Sequence, residues 1–271
     1  MEIYSLTQWV LFFYIYCFLG WIWESAFVSV CERKPVNRGF LKGPFLPIYG
    51  SGAVCVLVVT IPFRGNIPAM FLVGMVSATV LEYITGDIME RLFRVRYWDY
   101  TGKFLNVNGY ICLKSTICWG VMTVLVVDVV QPFIEGFVLR LGEPLVTGTV
   151  LVITPLITAD FVTSFHAAIR LRDILVQNER LKEELQKLTE KKRELENALL
   201  VAGEKAKAQL TQELQELLIK TGEQKEKMHI AYGGAIRGLL KRNPRAVSRK
   251  HKEAFAETKR ALMEKIEEMR G

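Results

Sequence analysis

Five stretches in the first 169 residues are apolar almost throughout: Leu6–Val30, Phe45–Ile61, Ile67–Ile84, Tyr110–Val130 and Leu145–His166. A helix needs about 20 mainly apolar residues to cross a bilayer, and each run meets or nearly meets that length. After Arg170 the pattern changes. Leu171, Ile174, Asn178, Leu181, Leu185, Leu188, Lys192, Leu195, Leu199, Ala202 and Ala206 recur at alternating steps of three and four, with Glu, Lys and Arg between them. That spacing predicts a coiled coil of about five heptads. Asn178 at an a-type position favours a parallel two-stranded register, so a homodimer through residues 171–206 is one expectation. An antiparallel hairpin with Leu210–Met228 inside one chain is the other. The predicted fold is all-α: an integral membrane bundle of about five transmembrane helices, followed by a cytoplasmic coiled coil. Three regions follow: a transmembrane domain at 1–169, coiled-coil helices at 170–228, and a basic helical tail at 229–271, where Ala231–Ala235 breaks the helix and Asn243-Pro244 marks a new start.

Charge orients the bundle. The stretch after the first run carries Arg33, Lys34, Arg38 and Lys42, and that after the third carries Arg91, Arg94, Arg96 and Lys103. The alternate connections carry only Arg64 and Arg140. By the positive-inside rule the two basic loops are cytoplasmic, which places the N-terminus outside and the tail inside a cell membrane crossed several times. The first run lacks the basic flank and small-residue cleavage site of a removable leader, and its tryptophans suit the interfacial belt of a retained span.

The net charge of +7 has a single source. Residues 1–169 carry 11 basic and 11 acidic side chains, whereas Arg237, Lys241, Arg242, Arg245, Arg249, Lys250 and Lys252 form a run with no acid among them. Such a patch suits anionic lipid headgroups or an acidic partner, at about 1 kcal/mol for each basic residue near a charged membrane surface. No aromatic interleaving or recognition motif accompanies it, so nucleic acid is the weaker reading. The cysteines (17, 31, 55, 112 and 118) form no C-x-x-C pair and meet no histidine cluster, so no metal site or cofactor is expected.

The polar residues of the apolar half are few and patterned. Glu24 precedes Glu32-Arg33 by eight residues, as Glu82 precedes Glu90-Arg91, and each pair leads through a Gly- and Phe-Leu-bearing loop to an Ile-Tyr or Tyr-Ile dipeptide. This spacing describes two repeated hairpins plus one further span. Glu24, Glu82, Lys114, Asp160 and His166 then lie at similar depth near the cytoplasmic ends of their spans. A charge inside a span costs roughly 2.5–3.5 kcal/mol on insertion scales, so it faces a partner or a watery cavity. Lys114 is expected to balance Glu82 or Glu24. The loops NRGFLKGPFLPIYG (37–50) and WDYTGKFLNVNG (98–109) roof the cluster. They complete a candidate substrate- or ion-binding set of Glu24, Asn37, Arg38, Glu82, Glu90, Trp98, Asp99, Asn106, Asn108 and Lys114. The competing reading of the same residues is an ion-paired knot that locks helix packing.

Taken together, W-E in the first span, NRGFLxGPxxPIYG, EYxxGxxxE, WDYxxxxxNxxGxICL and Trp119-Gly120 resemble the CmpB-like ABC-transporter permease family of bacteria over roughly residues 10–165. The resemblance implies a multi-spanning plasma-membrane protein of the permease type. The chain has no G-x-x-x-x-G-K-[ST] phosphate loop, so an ABC mechanism would draw on an ATPase in a separate chain. Transport of a small molecule or ion is the leading expectation. A membrane-anchored scaffold whose coiled coil recruits partners is the alternative. Neither a Ser–His pair nor an HExxH motif supports an intramembrane enzyme.

Overall fold

The structure is a computed structural model and describes residues 4–201, 211–221 and 234–268. The helices are α1 (Leu6–Glu32), α2 (Pro47–Thr60, extended by a 3₁₀ turn at Ile61–Phe63), α3 (Ile67–Phe93), α4 (Leu113–Val124), α5 (Gln131–Arg140), α6 (Glu143–Val201), α7 (211–221), α8 (Gly234–Arg242) and α9 (Lys252–Glu268). Four helical stretches are long and apolar enough to cross a membrane: Leu6–Glu32, Ile67–Phe93, Leu113–Arg140 and the first part of Glu143–Val201. The fifth apolar helix, Pro47–Phe63, is shorter. The chain divides into two compact units, Met1–Ile169 with Ala235–Arg249, and Arg170–Gly234 with Lys250–Gly271.

Two hairpins of the same build make up most of the first unit. Each opens with a 27-residue helix, α1 or α3, that ends on an arginine in left-handed backbone, Arg33 (φ 52°) or Arg94 (φ 58°). Each returns through a loop to a helix carrying an aromatic-glycine pair, Tyr49-Gly50 in α2 and Trp119-Gly120 in α4. A Cβ at Gly50 would lie 2.6 Å from the Phe13 carbonyl oxygen, and one at Gly120 would lie 2.6 Å from the Phe71 ring. The glycines therefore let each second helix press against its first, the small-residue contact by which membrane helices associate in place of hydrophobic exclusion.

Along α3, Met70, Gly74, Ala78, Glu82 and Gly86 are buried at intervals of four, whereas Leu72, Val76, Val80, Ile84 and Ile88 are exposed at the same interval. One face packs on protein and the other is an apolar stripe fit for lipid. The π-helical stretch Leu125–Val130 that joins α4 to α5 has a local cause. Pro132 offers no N–H to the Asp128 carbonyl and crowds it, so bonding slips by one residue and the Gln131 N–H reaches Val126 O. At the end of the bundle where α1 begins, Ser5 and Thr7 both donate to Glu143 at the head of α6, which sets α1 and α6 parallel.

In the second unit the heptad positions of α6 are its better-covered face, with Leu171 and Leu195 buried and Leu181, Leu185 and Leu188 half-exposed. Asn178, expected to face a second copy, is buried within the chain's own fold. Beside it, Glu179 meets His251 at 2.5 Å and Lys182 meets Glu257 at 2.7 Å, so the segment at the start of α9 covers that part of the stripe. Ala202, Ala206, the 222–228 part of the alternative hairpin and the helix break at 231–233 lie outside the described residues.

Candidate functional site

At the loop end of the bundle, α1, α2, α3, α4, α6 and the two hairpin loops enclose a cavity of about 390 Å³. That size falls within the range of small-molecule pockets. Its walls are aromatic and aliphatic, and its polar groups are Glu24, Arg38, Glu82, Tyr49, Tyr97, Tyr100, Trp98, Trp119, Ser51, Thr85 and Asn243. The two glutamates are held alike. Tyr49 Oη donates to Glu24 Oε2 at 2.9 Å, and Trp119 Nε1 donates to Glu82 Oε2 at 2.9 Å. In both hairpins, then, the aromatic before the close-packing glycine of the second helix reaches back to the glutamate of the first. Tyr49 and Trp119 also meet edge to face, with centroids 6.0 Å apart. Both line a second, apolar cavity of about 150 Å³, which they share with Tyr16, Gly20, Ala78 and Val126 deeper in the bundle. The aromatic pair is the partition between the two spaces.

The glutamates differ in what balances their charge. Glu24 accepts from Arg38 Nε at 3.5 Å as well as from Tyr49. Glu82, 5% exposed, accepts from Tyr100 Oη at 3.2 Å and from Trp119, both neutral donors. Lys114, expected from the sequence to balance Glu82 or Glu24, does neither. It is exposed on the first turn of α4, and among the described residues no cation lies within ion-pair reach of Glu82. The cause is angular. Lys114 opens a helix whose inward face at this level is presented by Trp119, so its long stem runs out to the surface at the bundle end. We expect Lys114→Ala to leave the melting temperature within about 2 °C of the parent, and Glu82→Ala to melt the same with or without it, since an exposed charge with no partner contributes about 0.5 kcal/mol or less. A coupling above 1 kcal/mol in the double-mutant cycle would show that the two residues meet.

The loops form the roof by folding on themselves. In the first, Asn37 accepts from Trp21 Nε1 at 2.6 Å and donates to Lys42 O at 2.8 Å, while Asp160 of α6 accepts from the Lys42 and Gly43 N–H groups at 3.1 and 2.7 Å. In the second, Arg96 is the hub: it meets Glu90 at 2.6 Å, Asp99 at 3.4 Å, Asn108 O at 2.8 Å and the face of Tyr110 at 4.4 Å. Burial works against ionised Asp99, but the Thr101 hydroxyl and N–H, with Arg96 and Arg249, hold its carboxyl below the usual value. Gly109 (φ 73°) closes this loop where a Cβ would collide with Arg96, Thr101 and Asp99, so only glycine fits. Asn108 donates to Tyr83 Oη at 2.8 Å and Asn106 to Lys103 O at 2.9 Å.

Of the residues singled out from the sequence, the cavity therefore brings together Glu24, Arg38, Glu82 and Trp98. Asn37, Glu90, Asp99, Asn106 and Asn108 shape its roof, and Lys114 lies apart.

The remaining wall comes from late in the chain, about 200 residues after the first hairpin loop. Asn243, 2% exposed, accepts from Arg38 Nη1 and donates to Gly39 O and Leu239 O, each at 2.9 Å. Around it Arg242 donates to Phe40 O, Arg245 meets Glu32 at 3.2 Å, Ser248 donates to Arg94 O at 2.6 Å, Arg249 donates to Thr101, and Val247 exchanges both backbone hydrogen bonds with Arg96. Burial presses the Arg242 guanidinium below the usual arginine value, while Asp160 and Tyr97 pull it back. Of the basic run read as a lipid or partner contact, Arg242, Arg245 and Arg249 are thus engaged with the hairpin loops, Arg237 is half-buried, and Lys241, Lys250 and Lys252 are exposed. Sequence reasoning missed Tyr49, Trp119, Tyr97, Tyr100 and Asn243. The recurring aromatic-glycine pair was the one available signal.

Residues 11–165 match the model of the family described as Putative ABC-transporter type IV. No curated protein and no solved structure matches the chain.

Proposed function

Since the chain belongs to the Putative ABC-transporter type IV family, with the match covering more than half its length, we propose that it is a permease-type membrane protein that takes a small molecule or ion into the cavity at the loop end of its bundle. The observation that carries the reading is the cavity itself. About 390 Å³ of space lies beside two carboxylates of an apolar bundle, Glu82 buried and Glu24 half-buried, with a second space behind the Tyr49–Trp119 partition. A knot built only to lock helices has no need of such room, because close packing serves that purpose better.

The charge of the two basic loops supports a cavity on the cytoplasmic side of a cell membrane, with the N-terminus outside and the tail inside. Energy for uphill transport would come from an ATPase in a separate chain. Two copies would pair through the heptad leucines Leu181, Leu185 and Leu188, which stay half-exposed. The scaffold alternative draws support from the second compact unit. Deleting residues 170–271 cannot separate the two readings, however, because it also removes Asn243 from the cavity wall.

The test is uptake of labelled solutes (amino acids, amines, inorganic phosphate and alkali cations) into proteoliposomes. Thr85 lines the cavity, and Thr85→Trp places an indole in it. We expect a solute whose flux falls at least tenfold in Thr85→Trp while the melting temperature stays within a few degrees. Absence of flux for every solute by correctly folded protein, or a flux indifferent to the indole, counts against the permease.

A further inference from the structure

Charge accounting around the cavity leaves one residue over. Glu24 is matched by Arg38. Asp160 lies near enough to act on Arg242. Glu90 and Asp99 share Arg96, and Arg249 also acts on Asp99. Glu82 faces the same cavity with hydrogen bonds from Tyr100 and Trp119 and, among the described residues, with no cation in reach. Neutral donors satisfy the lone pairs of a carboxylate but not its charge, and a buried charge without a counter-charge is costly.

What surrounds Glu82 indicates the kind of counter-charge. A calcium ion needs six to eight oxygen ligands, and other hard cations likewise want several oxygens. Here the groups that reach the carboxylate are the O–H of Tyr100 and the N–H of Trp119, and the aromatic side chains of Tyr49 and Trp98 line the same cavity. Aromatic walls beside a single carboxylate are the environment that recognises an organic ammonium, whose charge is spread over C–H groups and attracted to ring faces. A second, independent feature is Tyr97. It is 6% exposed and lines the cavity, and its buried hydroxyl has no hydrogen-bond partner among the described residues. A polar substituent on the bound molecule would supply that partner.

Resting on the permease reading, we propose that the cavity takes an organic ammonium ion, with the cationic head beside Glu82 among the aromatic side chains that line the cavity, and a hydroxyl or similar polar group toward Tyr97.

The experiment is isothermal titration calorimetry of full-length protein in nanodiscs with choline and with 3,3-dimethylbutan-1-ol, its neutral carbon isostere. We expect choline to bind at least tenfold more tightly than the isostere. Glu82→Gln, whose amide oxygen can still accept from Trp119 Nε1 while its NH2 donates to the Tyr100 hydroxyl, should lose at least tenfold for choline and less than twofold for the isostere. The comparison of the two probes on the parent protein stands even where the variant does not fold. Equal binding of the two, binding of neither, or preferential binding of inorganic sulfate overturns the proposal. The permease reading fails separately, through absent flux or indifference to Thr85→Trp.

Discussion

Gly50→Ala should yield a bundle less stable by about 3 kcal/mol, and Cys17→Ala should not restore it. A Cβ at this position would sit 2.4 Å from Cys17 Sγ but also 2.6 Å from the Phe13 carbonyl oxygen. Trimming the sulfur removes the first collision. The second involves backbone, so the α1 and α2 axes must separate, and overpacking of that kind costs about 1–3 kcal/mol and sometimes more. With melting shifts of roughly 2–4 °C per kcal/mol for a chain of this size, the expected fall is about 6–12 °C.

The equivalent change in the second hairpin behaves differently. In Gly120→Ala the clashing atoms belong to the Phe71 ring, at 2.6–2.9 Å, and a ring on a flexible side chain can be replaced. Phe71→Leu should therefore recover most of the loss at Gly120, as no single side-chain change can at Gly50. Thermal melts of the four variants in one detergent decide it. A Gly50→Ala protein that melts like the parent, or one repaired by Cys17→Ala, would show that backbone contact between α1 and α2 does not limit their approach at Gly50.

The two hairpins were legible as far as their causes are local. Apolar runs of this length mark where the helices lie, because a long continuous apolar segment crosses a bilayer with its backbone satisfied as a helix. Glu24 and Glu82 stood out because a charge within such a run demands an explanation. Both glutamates line one cavity, and Arg38 from the first basic loop lines it with them. Lys114 was misjudged because depth along a span says nothing of the direction in which a side chain leaves the helix. Two groups at one level can face opposite ways, and at the mouth of α4 the position five residues on, Trp119, holds the inward place.

Two features had no sequence signal strong enough to find them. Tyr49 and Trp119 differ chemically, so their shared role as donors to the glutamates emerges only when the hairpins are compared in space. The segment around Asn243 reads as a solvated basic patch, since its arginines would suit lipid, partner or water equally well. What fixes it is a set of backbone carbonyls and the Glu32 carboxylate at the end of α1, all more than 140 residues distant, which no local pattern encodes.

That segment supplies the second large effect. Asn243→Ala should free residues 235–249 from the hairpin loops while the helices of the bundle stay folded. The side chain spends both amide hydrogens on Gly39 O and Leu239 O and gives its oxygen to Arg38. Alanine leaves the buried Gly39 carbonyl without that donor, while Leu239 O keeps the backbone N–H of residue 243, and it deprives a guanidinium that is 9% exposed of one acceptor. At about 1–3 kcal/mol for each buried group left unsatisfied, a loss of about 3 kcal/mol in docking is the conservative figure. The exposed Arg245–Glu32 pair, worth about 1 kcal/mol at most, cannot offset it. The readout is hydrogen exchange at two amides that depend on docking alone, Arg96 N–H to Val247 O at 2.7 Å and Val247 N–H to Arg96 O at 3.0 Å. Both should exchange about 100-fold faster in Asn243→Ala, whereas amides within α1 and α3 keep their protection. Asn243→Asp, which retains the acceptor for Arg38 but loses both donors, should fall between the parent and the alanine variant. Unchanged exchange at Arg96 and Val247 would mean that Ser248 and the arginines hold the segment without Asn243, and that this wall of the cavity does not depend on it.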